Sequence, residues 1–145
     1  MDTEKLTTMS RDAVTAAVRL ALTKGNPTAE PVHLLHAMLM VPESSVAPLL
    51  KAVGADAARV DGAASAAIDK LPSSSGSSVA QPQRSGALAR VLADAETRAD
   101  KLGDQFVSTE HLLIALAEVD SDAKNILASN GVTTAALEKA FNDSR

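Results

Sequence analysis

"PVHLLHAML", residues 31 to 39, and "TEHLLIALA", residues 109 to 117, share a His-Leu-Leu core at a spacing of 78 residues. Gly25 and Gly103 repeat at the same spacing. Further along, "LLKAVGAD" (49 to 56) matches "ILASNGVT" (126 to 133) at a spacing of 77. Several landmarks in nearly one register indicate an internal duplication. The chain is therefore predicted to contain two copies of one structural unit, with one residue lost between them.

Each copy is predicted to begin with an amphipathic helix. Apolar residues recur there at steps of three and four, which places them on one helical face. Gly25 and Gly103 follow these helices, and glycine readily adopts the positive φ found just past a helix end. The residues assigned to the apolar faces are Val14, Ala17, Val18, Ala21 and Leu22 in the first copy, and Leu88, Val91, Leu92, Ala95, Ala99 and Leu102 in the second.

Three further helices follow in each copy. Pro31 suits a first helical turn, Gly54 ends the third helix, and Asp56 is a candidate N-cap for the fourth. In the second copy, Ser108 and Thr133 are the corresponding N-cap candidates. The predicted helices cover about 9–24, 31–41, 44–53 and 57–71, and then 85–102, 109–119, 122–129 and 134–142.

The predicted fold class is all-α, with two pseudo-symmetric four-helix repeats in a single domain spanning 1–145. No segment has the alternating, β-branched pattern of a strand. The polar stretch "PSSSGSSVAQPQ" has the composition of a linker. We expect repeat one over about 1–71, the linker over about 72–84, and repeat two over about 85–145.

The composition limits the classes of function. A chain of 145 residues can bury a substantial core, and this core must be aliphatic, since there is no Trp or Tyr and only two Phe. The net charge of −4 is scattered without a basic stripe, so we expect no nucleic-acid partner. The absence of cysteine suits a reducing compartment. With no signal-peptide or membrane-span pattern, we expect a cytoplasmic protein that contacts no membrane.

The histidines are candidates for a metal site or for a structural role. His33 and His36 lie three residues apart, but zinc needs three or four ligands and nothing nearby completes the set. His33 and His111 occupy equivalent places in the two copies. This repetition favours a side chain that packs or hydrogen-bonds in the first turn of each second helix, and no metal site is expected.

Three other positions have a structural interpretation, and one of them also has a functional one. Thr7 and Thr8 precede the first helix and most simply cap it. Glu110 lies in a first helical turn, where the helix dipole favours an acid. The first copy has Val32 at the matching place, so the shared fold does not require that acid. Glu110 is therefore a functional candidate.

Asp94 and Arg98 form an i, i+4 pair that is predicted to lie on a solvent-exposed helix face. Enzyme motifs are absent from the sequence: it has no P-loop, no nucleophile elbow and no H-E-x-x-H. "SSSGSS" lacks the lysine of a phosphate-binding loop. Neighbours such as Glu110 and His111 point about 100° apart on a helix and do not converge on one substrate atom. We therefore expect a binding domain without catalysis of its own.

The duplicated pattern G-(N/D)-x6-H-L-L closely resembles the Clp N-terminal repeat domain of AAA+ unfoldases and disaggregases. The resemblance covers the chain from "KLTTMSRDAV" to "AALEKAF", with "GNPTAEPVHLLHAML" and "LGDQFVSTEHLLIAL" as its most specific motifs. "AEPVHLL" is similar to the ClpB-type form, whereas ClpC-type domains tend to carry Thr-Glu-His in both copies. The alanine richness is similar to that of actinobacterial members.

The resemblance implies a mobile module of a hexameric ClpB-type ATPase, one that contacts unfolded or aggregated polypeptide and aids its delivery to the pore. Thr7, Asp104 and Glu110 match polar positions tied to client handling in that family. ATP and Mg would bind the absent ATPase modules and no cofactor would bind this domain. The other implied partners are the remainder of the hexamer and, through absent modules, the DnaK system. The isolated domain is expected to be a monomer.

On the outer face of the fifth helix, relatives can carry leucines, whereas this chain has Asp94 and Arg98. These charged residues argue against a strongly hydrophobic groove at that spot. One alternative is docking of a folded adaptor, as in ClpC- and ClpA-type unfoldases. Another is a regulatory spacer that gates the pore without binding clients.

Overall fold

The computed structural model describes residues 3–74 and 81–145, and within them it contains eight α-helices. All eight predicted helices are present, and their ends lie within about two residues of the predicted ones. Their bounds are α1 Thr8–Thr23, α2 Pro31–Leu39, α3 Val46–Ala52, α4 Ala57–Asp69, α5 Gly86–Lys101, α6 Thr109–Glu118, α7 Asp122–Ser129 and α8 Thr134–Asp143.

Two short strands were not predicted. β1 (Thr28–Ala29) and β2 (Gln83–Arg84) pair in parallel, and a single 3-10 turn covers Thr3–Lys5. β2 belongs to the segment predicted as a linker, so the end of that segment is held by backbone pairing with β1. Residues 75–80 of the same segment lie outside the described residues. The boundaries proposed near residues 71 and 85 stay a prediction. A two-residue strand is too short to leave an alternating sequence pattern.

Side-chain caps begin the helices as predicted. The side chains of Asp56, Ser108 and Thr133 accept hydrogen bonds from backbone N–H groups at the starts of α4, α6 and α8. Thr7 caps α1 by accepting from the backbone N–H of Ser10 at 3.1 Å. Thr8 is not part of the cap, because it is already the first helical residue.

Glycines end the equivalent helices of both repeats in the same way. The residues past α1, α3, α5 and α7 are in the left-handed region, which closes each helix without a Cβ clash. These residues are Gly25 (φ 71°), Gly54 (83°), Gly103 (74°) and Gly131 (77°). The predicted helix stops at Gly25 and Gly54 are confirmed.

The second helix of each repeat forms the centre of the core. α1 packs on α2 as α5 packs on α6, and α6 is buried from Leu112 to Ala117. The repeats join where α4 meets α7 and α3 meets α8. Leu22 and Leu102, which the helical spacing assigned to the apolar faces, are each 43% exposed. Leu22 lies in the last turn of α1, and Leu102 is the C-cap of α5.

Candidate functional site

Each repeat contains a buried histidine that closes the start of its second helix. The His33 Nδ1 accepts from the backbone N–H of Glu30 at 2.8 Å, and its Nε2 lies 2.8 Å from the Asn26 Oδ1. A backbone N–H can only donate, so Nδ1 carries no proton and the ring is neutral with its hydrogen on Nε2. Burial lowers the pKa of His33 and supports this form.

His111 repeats this arrangement. Its Nδ1 accepts from the backbone N–H of Ser108 at 2.9 Å, and its Nε2 lies 2.9 Å from the Asp104 Oδ2. The structural interpretation of both histidines is thereby confirmed. The first-repeat His36 contacts a different residue, since its Nδ1 lies 2.5 Å from the Asp61 Oδ1. Within 3–74 and 81–145, no group of three or more His, Asp or Glu side chains is arranged to hold a metal ion.

The histidine's partner differs between the repeats. Asn26 is 2% exposed and uses its Nδ2 to donate to the Pro72 carbonyl at 2.9 Å. Asp104 is partly exposed, and both of its carboxylate oxygens accept from the Arg145 guanidinium, with the Oδ2 contact at 2.8 Å. Hydrogen bonding from that guanidinium lowers the pKa of Asp104. In repeat one, an amide is therefore sufficient as the hydrogen-bond partner of the histidine, whereas in repeat two the partner is a charged carboxylate at the surface.

Backbone pairing places Thr7 beside the start of α6. The Thr7 N–H donates to the Val107 carbonyl at 3.1 Å, and the Val107 N–H donates to the Lys5 carbonyl at 2.7 Å. The Thr7 hydroxyl donates to the Ser10 hydroxyl at 2.9 Å in addition to capping α1. The capping interpretation of Thr7 is confirmed, and the same pairing brings Thr7 close to the segment that carries both candidate carboxylates.

Glu110 faces a groove between the two repeats. This groove, about 350 Å³ in volume, lies between α3, α6 and the end of α8, and Leu49 and Phe141 contribute apolar walls. The Glu110 Oε1 accepts from the Thr109 hydroxyl at 3.2 Å. At the matching place in repeat one, Val32 is only 1% exposed. Glu110 is therefore accessible where its counterpart is buried.

The three predicted site residues surround one corner of repeat two. Asp104 joins His111 through its side chain, Glu110 immediately precedes His111, and Thr7 joins Val107 through its backbone. In the part of the chain that the structure describes, no hydrogen bond joins any two of these three side chains directly. They lie around the segment from 104 to 111 without forming one hydrogen-bonded cluster.

A second groove, not predicted from the sequence, lies between α5, α6 and α8. It has a volume of about 300 Å³ and an apolar floor to which Leu102, Ile114 and Phe141 contribute. Leu102 and Phe106 are 43% and 48% exposed, and they flank Asp104 in sequence. Asp94 and Arg98 also line this groove, so it lies at the spot where the sequence argued against a strongly hydrophobic groove, and charged side chains border its apolar floor.

Arg98 forms part of the wall of that groove. Its Nε donates to the Asp94 Oδ2 at 2.6 Å, which confirms the predicted pair, and its Nη1 donates to the Glu138 Oε1 at 3.0 Å. The pair is less exposed than predicted for a solvent-facing helix surface, because the Arg98 side chain is only 19% exposed. Glu138 comes from α8, so spacing along α5 gave no indication of it.

Comparison with known proteins gives the family. Residues 5–141 match the model of the Clp repeat (R) N-terminal domain. The chain belongs to this family. The Clp repeat domain is 99% identical over 145 residues to chaperone protein ClpB of Propionibacterium freudenreichii subsp. shermanii. That match covers the whole chain and 17% of the ClpB protein, so the chain spans about a sixth of its relative's length. It confirms the resemblance to ClpB-type members.

Solved structures share the fold. The N-terminal domain of Hsp104 from Candida albicans has a TM-score of 0.79 at 22% identity, covering 94% of this chain and 88% of that one. A ClpV N-domain in complex with a VipB peptide has a TM-score of 0.75 at 21% identity, covering 95% and 85%. These likenesses confirm the all-α repeat fold. Among the described residues, no helix has both the length and the apolar character needed to cross a bilayer.

Proposed function

We propose that this Clp repeat domain contacts unfolded or aggregated polypeptide on behalf of a ClpB-type AAA+ disaggregase and helps deliver it to the hexamer pore. One observation carries the proposal. The α5–α6 corner exposes Leu102 and Phe106, which flank Asp104 in sequence, and Leu102 also lines a groove with an apolar floor. Such a surface offers contacts to apolar and polar parts of an extended chain together.

The client surface is formed by the α5–α6 corner and the grooves on either side of Phe141. Thr7, Asp104 and Glu110 are its proposed polar contacts, placed around the segment from 104 to 111. Both grooves have polar residues in their lining, since Arg98 and Glu138 line one and Glu110 lines the other. This geometry favours a dissociation constant of about micromolar or weaker, which allows the client to be passed onward.

The match to ClpB supports the choice of parent protein, and the ClpV N-domain complex supports the choice of ligand class, since that domain binds a VipB peptide. In this proposal the domain performs no catalysis and binds no cofactor, and ATP and Mg act in the ATPase modules of the parent. Its partners are client polypeptide and the remainder of the hexamer, with the DnaK system acting through other modules. The cytoplasm is the proposed location and a monomer the proposed state of the isolated domain.

The proposal is tested by titrating the isotope-labelled domain with an unfolded, apolar-rich polypeptide and following backbone amide shifts by NMR. Shifts are expected around Thr7, Asp104 and Glu110, and Glu110→Ala is expected to weaken binding. Thr7→Ala removes a helix cap as well as a hydroxyl, so Thr7→Asn, which keeps a capping oxygen but has no hydroxyl, is the matched control. Shifts confined to the opposite side of the domain would refute the proposed surface.

A screen of cell extract with immobilised domain separates client binding from adaptor docking. Client binding predicts many unfolded proteins of different identity, each held weakly. One dominant folded protein in stoichiometric amount would contradict the proposal. Changes in ATPase rate on deletion of the domain, with no binding to any polypeptide, would indicate gating instead.

A further inference from the structure

Arg145 occupies a notch in repeat two that is formed by Asp104, His111 and Phe141, here called the guanidinium notch. Its Nη1 donates to the Asp104 Oδ2 at 2.8 Å and its Nη2 donates to the Oδ1. Its Cζ lies 4.9 Å from the centre of the Phe141 ring. A planar guanidinium fits a carboxylate that accepts two hydrogen bonds and an aromatic face. The notch offers both.

The walls of the notch are held in place independently of Arg145. The His111 Nε2 donates to the Asp104 Oδ2 at 2.9 Å. The His111 ring also packs edge-on against Phe141, with centroids 5.5 Å apart and an angle of 83° between the rings. Phe141 is 6% exposed and His111 is 2% exposed. The carboxylate and the ring therefore keep their positions when the arginine leaves.

The fold itself does not require the notch. In repeat one, Asn26 takes the place of Asp104 and satisfies the equivalent histidine without a charge. In the register that matches Gly54 to Gly131, Phe141 corresponds to Ala64, which is completely buried. One repeat thus folds with neither a carboxylate nor an aromatic ring at these two places. The charge and the ring of repeat two are therefore not required by the shared fold.

The occupant is exchangeable. The Arg145 side chain is 39% exposed, and ion pairs with such exposure are weak because water and salt compete with them. Asp104 is partly buried, with 19% of its side chain exposed, so the acceptor is preorganised while the donor is not. An arginine presented by another chain makes the same contacts.

We infer that the guanidinium notch is a subsite for an arginine side chain of the client polypeptide, and that Arg145 is an internal occupant which the client displaces. The inference rests on the proposed function and names the side chain which that surface recognises. Leu102 and Phe106 flank Asp104 in sequence and are half-exposed, so apolar residues beside the client's arginine have a surface to contact. Arg145 lowers the apparent affinity by competing for Asp104.

The test compares two short acetylated and amidated peptides, one with a central arginine between leucines and one with citrulline, the uncharged analogue, in its place. Both are titrated by NMR into the 145-residue chain and into an Arg145→Gln variant. The variant is expected to bind the arginine peptide about two- to sixfold more tightly, which is the competition expected from an exposed ion pair. Arg90→Gln, which removes an exposed arginine from α5, is the matched control for the change in net charge and is expected to leave affinity unchanged.

Asp104→Asn supplies the second arm. The Asn26 arrangement indicates that an amide oxygen in this position still accepts from the histidine, so the variant is expected to fold. It should bind the arginine and citrulline peptides equally and weakly, whereas the wild type prefers arginine. Circular dichroism checks that all variants keep their helices.

The outcomes separate this inference from the proposed function. Equal binding of the two peptides by the wild type, or no gain in affinity from Arg145→Gln, would overturn the inference. If an unfolded apolar-rich polypeptide still shifts the α5–α6 corner in that case, the proposed function stands without it. If neither the peptides nor the unfolded polypeptide bind, both fall.

Discussion

Exchanging the histidine partners of the two repeats should have very unequal effects on stability. Asn26 and Asp104 make the same hydrogen bond to a histidine Nε2, at 2.8 and 2.9 Å. Asn26 is 2% exposed and also donates to the Pro72 carbonyl. Asp104 instead faces Arg145 at the surface. We predict that Asn26→Asp is strongly destabilising and that Asp104→Asn leaves stability nearly unchanged.

The magnitude for Asn26→Asp follows from its surroundings. The substitution removes a net hydrogen bond of about 1 kcal/mol and turns a carboxylate oxygen toward the Pro72 carbonyl in a site without solvent. An uncompensated buried charge adds a further cost, giving a total loss of about 2–4 kcal/mol in the free energy of unfolding. Asp104→Asn keeps an oxygen for His111 and loses only an exposed ion pair.

Urea unfolding followed by far-UV circular dichroism measures both effects, since the chain has no Trp or Tyr for fluorescence. The pH dependence provides a further check. Burial raises the pKa of the introduced carboxyl in the folded state above its unfolded value, so the folded state binds the extra proton first. The deficit of Asn26→Asp should therefore shrink as the pH falls through the folded pKa. Equal losses for the two variants would refute the assignment of different roles to the two partners.

Three further outcomes are expected from the same unfolding measurements. Gly62→Ala should stabilise the domain by about 0.5–1 kcal/mol, because Gly62 lies within α4 with open space around its Cα; a loss would indicate hidden crowding there. Arg98→Ala should lower the free energy of unfolding by about 1–2 kcal/mol, since it leaves carboxylates on two helices uncompensated. The control Lys124→Ala, at an exposed pair, should lower it by less than about 0.5 kcal/mol. Equal losses would contradict the structural role of Arg98. Arg145 lowers the pKa of Asp104, so their contact stabilises the fold above the unfolded pKa of Asp104, near 4, and this stabilisation is lost as the pH falls through the folded pKa. Arg145→Gln should therefore flatten the dependence of the free energy of unfolding on pH below about pH 4. An unchanged pH dependence would contradict the contact.

The fold was predictable because its signals are local and occur twice. Helix faces, capping residues and glycine stops depend on neighbours within a few residues, and because of the duplication each kind of signal occurs in both repeats. The pairing of β1 with β2 was not predictable, because two-residue strands leave no periodic pattern. The exposure of Leu22 and Leu102 was not predictable, since helical spacing assigns a residue to a face but does not give its burial at a helix end.

The candidate site was predictable only in part. The asymmetry between Val32 and Glu110 was visible in the sequence and corresponds to a buried and an accessible position. The hydrogen bond between Asp104 and His111 spans seven residues inside the repeated motif, and the duplication kept both residues in register. Arg145 reaches Asp104 across 41 positions, so no local pattern could indicate that contact.

In the proposed function, the α5–α6 corner of repeat two contacts unfolded polypeptide. The most direct measurement is the NMR titration of the labelled domain with an unfolded, apolar-rich polypeptide, read at the amides of residues 102 to 111. We predict saturable shifts centred on that segment, with micromolar or weaker affinity, that diminish in Glu110→Ala. An absence of shifts at millimolar polypeptide, or shifts that leave residues 102 to 111 unaffected, would contradict the claim.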